Sequence, residues 1–144
     1  MRKENKSSPL TSRFAPKRGS LISVTADLSS TSNLAIVVSN DVQNDVSDFL
    51  TVVPLQRRVS RLRAPFAVDL GRKDGFRELH TVRCDWVTRL PRSQVESIER
   101  AALSKRITLQ IEAALCVALG LKTEQWDQLD TRPVDKSSKT GSSS

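Results

Sequence analysis

Four arginines crowd into the run QRRVSRLR, at Arg57, Arg58, Arg61 and Arg63, with no acidic side chain among them. A guanidinium grips phosphate through two parallel N–H···O bonds, so such a patch suits a polyanion backbone. A solvated basic loop between strands is the plainer reading of the same run. Trp86 has two readings as well: an indole of the core, or a flat face on which an unpaired base stacks. His80 is the single histidine, so any Ser-His-Asp or Cys-His pair would have to use it. It stands inside a strand-like run, which favours a structural or surface role. Asp41, Asp45 and Asp48 lack the central glycine of a calcium loop and read as a solvated turn. Cys84 and Cys116 lie in apolar segments without metal-ligand spacing and read as reduced thiols of a cytoplasmic protein. No glycine-rich phosphate loop and no metal cluster is visible, so neither cofactor nor metal is expected.

The elements that must hold these residues follow from periodicity. SLISVTADL (20–28) alternates imperfectly, as a half-buried strand does. LAIVVS (34–39) and FLTVVPL (49–55) are continuous β-branched runs of the kind buried on both faces. PFAVDL (65–70) reads as a short strand followed by a turn at GRKDG, and ELHTVRCDWVTRL (78–90) as the longest strand. The segment Ser39–Asp45 between two of these strands reads as an acidic, amide-rich loop. After Pro91 the period changes. Ser93-Gln94-Val95-Glu96 fits a capping box and predicts a short helix through Leu103. Ile107, Ile111, Ala114, Leu115, Ala118 and Leu119 then form one apolar stripe of a second helix, with Gly120 as its stop. Five strands closed by a helix predict a small, strongly bent antiparallel sheet or barrel.

A chain of 144 residues fits one domain with a modest core. Apolar residues make up 38% and aromatics 4%, low enough to leave part of the chain unpacked. The net charge of +7 is unevenly placed. Residues 1–18 carry six Lys/Arg against one Glu, and 131–144 carry three against Asp135, while 19–130 hold fourteen of each sign. Basicity therefore belongs to the tails. Residues 1–17 are expected to be a flexible basic arm and 123–144 a polar, disordered tail around a folded unit at 18–122. No run approaches the ~20 apolar residues of a membrane span, and the N-terminus lacks a secretory apolar core.

In order and spacing, these blocks resemble the MazF/PemK/Kid family of toxin endoribonucleases. RGSLISVTADL (18–28), NLAIVVSND (33–41), TVVPLQRR (51–58), PFAVDL (65–70), DWVTRL (85–90) and AALCVALGL (113–121) stand where family members carry RGDI-WVDL, RRPALVVSND, VVPLTS, PF-V, DQIR-V and a final LGL. The resemblance implies a mainly β, α+β fold: a small SH3-like barrel of the MazF/Kid/CcdB type with a C-terminal helix. It also implies a homodimer whose grooves take RNA or an antitoxin-like peptide, and metal-independent cleavage through the ribose 2′-hydroxyl. The family's site arginine falls here on Asn33 and its Thr on Gln56, with Arg57 behind it, and the first loop has shrunk to SSTS (29–32). Asn33, Gln56 and Arg57 are thus the positions matching or adjoining the family's catalytic site. Arg57, Arg58, Arg61, Arg63 and Trp86 are the candidate RNA contacts. Asp85 or His80 is the candidate proton acceptor. A relative without cleavage, serving as a binding or regulatory module that sequesters a protein partner, fits the same replacements.

Overall fold

The computed structural model describes residues 15–121. The expected tail at 123–144, and the expected arm up to residue 14, lie outside the described residues. Among the described residues, seven strands and two helices follow in the order β1 (Leu21–Val24), β2 (Leu34–Val37), α1 (Asp41–Val46), β3 (Phe49–Arg57), β4 (Ala67–Leu70), β5 (His80–Arg83), β6 (Thr88–Pro91), β7 (Val95–Arg100) and α2 (Lys105–Leu119). Short 3-10 turns at Arg72–Asp74 and Arg92–Gln94 precede β5 and β7.

All strand pairs are antiparallel, and β3 is the long central strand. One edge of β3 pairs with β2, and the other is shared, Phe49–Val52 with β6 and Leu55–Arg57 with β5. The sheet runs β4-β5-β3-β2-β1-β7 with β6 branching from β3, so its ladder bends without closing. Irregular register between β1 and β7 adds to the bend.

The β-branched runs are buried on both faces, as their composition requires. One face of β2 and β3 sends Ile36, Val53 and Leu55 toward Leu103, Ile107, Ile111 and Ala114 of the helical side. The opposite face sends Ala35, Val37, Leu50 and Val52 into a second core with Ile22, Val24, Leu90 and Val95. Helix α2 is capped as its sequence demands. The Ser104 hydroxyl accepts the Ile107 amide, and Gly120 takes a left-handed φ of 74° at the stop.

Three expectations give way. The capping-box segment 93–103 is not helical: it forms a 3-10 turn and then β7, because β1 offers Val95 and Ile98 a buried edge to pair with. The long strand 78–90 is two strands, β5 and β6, broken at Cys84–Val87 where the chain leaves β5 and returns along the other half of β3. The loop after Ser39 contains α1, begun by the Asn40 side chain accepting the Gln43 amide at 2.8 Å.

Candidate functional site

Where β3, β4 and β5 run side by side, register sets polar groups in a row. Gln56 stands opposite Thr81, and Thr81 opposite Asp69. Their neighbours Leu55, Val82 and Val68 point the other way, into the core. Strand alternation thus gives Gln56, Thr81 and Arg83 one common face, turned away from α2.

At the end of β5 the chain makes a tight turn, the Trp86 amide donating to the Arg83 carbonyl at 2.9 Å. The turn drives Cys84 into the core and folds Asp85 and Trp86 back beside Arg83. Arg83 forks onto Asp85, Nε to Oδ1 at 2.9 Å and Nη2 to Oδ2 at 2.6 Å, and its Nη1 reaches the Gln56 side-chain oxygen at 3.1 Å. Its guanidinium carbon lies 3.9 Å from the centre of the Trp86 ring and 5.8 Å from that of Phe66. The Arg83 side chain is 14% exposed and that of Asp85 29%, so the pair is shielded yet reachable. Hydrogen bonds from Arg83 hold the Asp85 carboxyl below its ordinary range, burial opposing them only in part. Burial, with the Asp85 charge adding to it, pushes the Cys84 thiol up to about 12.

The candidate residues divide around this cluster. Gln56 is at its centre, its oxygen also accepting Arg58 Nη1 at 3.2 Å, and Trp86 forms its edge. Arg57 is drawn aside: Nη1 pairs with Glu78 at 3.3 Å, Nη2 donates to the Thr31 carbonyl at 3.2 Å, and its amide donates to the Thr31 hydroxyl at 3.0 Å. It braces the first loop. Arg61 and Arg63 are exposed on the β3–β4 loop, where Asp69 accepts the Leu62 and Arg63 amides, both at 3.3 Å. Asn33 is exposed before β2 and serves through its backbone, its carbonyl accepting the Val24 amide at 2.9 Å. His80 is 9% exposed, with Nδ1 3.1 Å from the Glu78 carbonyl and its ring 5.5 Å from that of Phe76. By alternation it faces the core, so of the two candidate proton acceptors, His80 and Asp85, only Asp85 lies in the cluster with Gln56 and Arg83.

Arg83 is the residue that sequence reasoning missed. Its signal was the spacing Arg83-Cys84-Asp85 in VRCD. An apolar residue between two opposite charges at a strand end can send the middle side chain inward and bring the flanking pair together.

The fold and this cluster define a small, mainly β protein with a terminal helix and an arginine–carboxylate–amide face. A family model described as PemK-like, MazF-like toxin of type II toxin–antitoxin system matches residues 17–119. The chain belongs to this family. Among solved structures it is similar to an endoribonuclease from Mycobacterial species, at 24% identity and TM-score 0.60, over 74% of this chain and 93% of that one. An endoribonuclease in complex with its cognate antitoxin, also from Mycobacterial species, gives 24% and 0.62 over 75% and 98%. A MazE–MazF complex from Deinococcus radiodurans gives 22% and 0.58 over 76% and 99%. No curated protein sequence matches the chain. Among the described residues no helix is long and apolar enough to cross a membrane.

Proposed function

We propose that the protein binds single-stranded RNA on the Gln56–Arg83–Trp86 face and cleaves it there through the Arg83–Asp85 pair, without a metal ion. The observation that carries this reading is the pair itself: an ionised carboxylate and a forked guanidinium, oriented by Gln56 and edged by an indole. Asp85 takes the proton of the ribose 2′-hydroxyl as its oxygen bonds to phosphorus. The P–O5′ bond breaks, the departing oxygen takes a proton from solvent, and a 2′,3′-cyclic phosphate remains. Arg83 turns part of its fork from Asp85 to the phosphate oxygens, where negative charge grows during the step. Trp86 supplies a stacking surface for an adjacent base. Gln56, at the position of the family's Thr, positions and hydrogen-bonds; like Asn33 at the position of the family's Arg, it neither carries charge nor acts as a base.

The names of the structural neighbours support the same reading, since they include endoribonucleases and toxin–antitoxin complexes. An antitoxin-like peptide would then compete with RNA by placing a carboxylate on Arg83 or Arg58, in a homodimer working in the cytoplasm. A second reading has its own observation: Arg83 already satisfies its fork on Asp85. In that case the chain is a binding or regulatory module that sequesters a protein partner.

Incubating the protein with long single-stranded RNA in EDTA separates the two. Cleavage that falls by about 10²–10³ in Asp85→Asn or Arg83→Ala, with RNA still bound by D85N, supports the nuclease. RNA bound but intact at high protein excess supports the module. Cleavage undiminished in D85N removes Asp85 from the role of base.

A further inference from the structure

The loop between β3 and β4, residues 58–66, carries Arg58, Arg61 and Arg63, with Val59 fully exposed on it. A segment this polar has little to bury, yet one carboxylate organises it. Asp69 of β4 uses both oxygens: Oδ1 accepts the Thr81 hydroxyl at 2.6 Å and the Leu62 amide at 3.3 Å, and Oδ2 accepts the Arg63 amide at 3.3 Å. Immediately after those amides the chain adopts an unusual shape, Arg63 taking a left-handed φ of 57°. Thr81 is in turn the register partner of Gln56. The loop is thereby tied, through one side chain, to the strand that carries Arg83.

We propose that Asp69 is a positioning residue for RNA: it holds the β3–β4 loop so that Arg61 and Arg63 continue the phosphate track that begins at Arg83. The inference rests on the RNA-binding reading above and deepens it, since the substrate must then extend past the cleaved phosphate onto the loop. On an unanchored loop the same arginines would supply charge without register.

Removing the Asp69 charge has two opposed effects, and their balance is the test. Asp69 lies close enough to Arg61 to offset part of its field. Were that its whole role, Asp69→Asn would tighten RNA binding. As the anchor of the loop, it has the opposite sign. Asn offers one acceptor oxygen where Asp69 uses two, and its amide N–H would meet the donor of Arg63 or Leu62.

Affinity is measured against single-stranded RNA of roughly a dozen nucleotides across a salt series, for the unaltered chain, Asp69→Asn, Arg61→Gln/Arg63→Gln, and the combination. The double arginine variant is expected to lower the slope of log K against log[salt] by about 1.4, two single-strand phosphate contacts. Asp69→Asn is expected to weaken binding about tenfold, and adding it to the arginine variant to cost less than about threefold more, because both changes remove the same contacts. Asp69→Glu keeps the charge and displaces the oxygens by one methylene, so it gives the answer should Asp69→Asn fail to fold, with a thermal melt checking each variant. Unchanged or tighter binding in a folded Asp69 variant, or losses that multiply in the combination, overturns the positioning role while leaving the RNA reading intact. Absence of RNA binding by the unaltered chain overturns both.

Discussion

Gln56 shows how little separates a recruiting amide from a blocking one. Its oxygen accepts from Arg58 and Arg83 at once, so it orients both cations while leaving their charge available. Gln56→Glu would keep the shape and add a charge that holds both guanidinium groups. RNA affinity should fall about tenfold in a filter-binding titration, the cost of one poorly released charge-assisted contact. In the proposed cleavage, Asp85 as the base would set the pH dependence. Hydrogen bonds from Arg83 keep its folded pKa below the ordinary value of 3.8. The base therefore stays ionised down to that value, and the acid limb of the rate profile should lie below it. A limb near neutral pH would assign the proton to another group. Cys84, raised to about 12 by burial, stays a thiol at pH 8 and should resist alkylation in the native protein while reacting after unfolding.

At the scale of elements, helix α2 hangs on its caps. Ser104→Ala removes the acceptor of the Ile107 amide and should cost about 1 kcal/mol, lowering the melting temperature by about 4–8 °C. Gly75 is a tighter constraint. It sits at φ 92°, and an added Cβ would lie 2.7 Å from the Arg100 Nη2 that caps its own carbonyl. Gly75→Ala should destabilise by at least about 1 kcal/mol in the same melt. Such elements were legible to different degrees. The β-branched runs announced β2 and β3, and the apolar stripe with Gly120 announced α2, because burial on a fixed period leaves its mark in composition. The Ser93–Glu96 box was a true local preference that lost to a sheet edge offered by β1, a partner over seventy residues away in sequence. The break at Cys84–Val87 was hidden for a related reason: both sides of the turn are strand-like, and only the geometry of β3 decides that they pair with its different halves. The site followed suit. Gln56 and Trp86 were visible as family positions and residue types, whereas Arg83 acquires its meaning from a turn that periodicity does not mark.

On the scale of the whole molecule, charge is balanced in the body and concentrated outside it. Four arginines on the site and its loop, Arg58, Arg61, Arg63 and Arg83, would give a single-strand salt slope of about −2.8, an affinity loss of about fiftyfold between 50 and 200 mM salt. A steeper slope assigns further phosphate contacts to the basic residues near the termini. Acid should also unfold the domain in a defined direction. Burial works against the charges of Asp69 and Asp74, but their hydrogen bonds outweigh it, and all three carboxyls, Asp85 included, end below 3.8. The stability they contribute is complete above that value and drains away as pH falls through their lower folded values, which a circular-dichroism titration would follow. Finally, the short first loop is fastened before anything binds. Ser29 is buried and donates to the Leu55 carbonyl at 2.9 Å, Ser32 accepts the Leu34 amide at 3.1 Å, and Arg57 grips Thr31 from above. An incoming strand need not order this segment, so no conformational entropy is spent there on arrival. Mixing experiments should then record a single association phase whose rate climbs linearly with RNA concentration, limited by encounter and not by the closing of a flap.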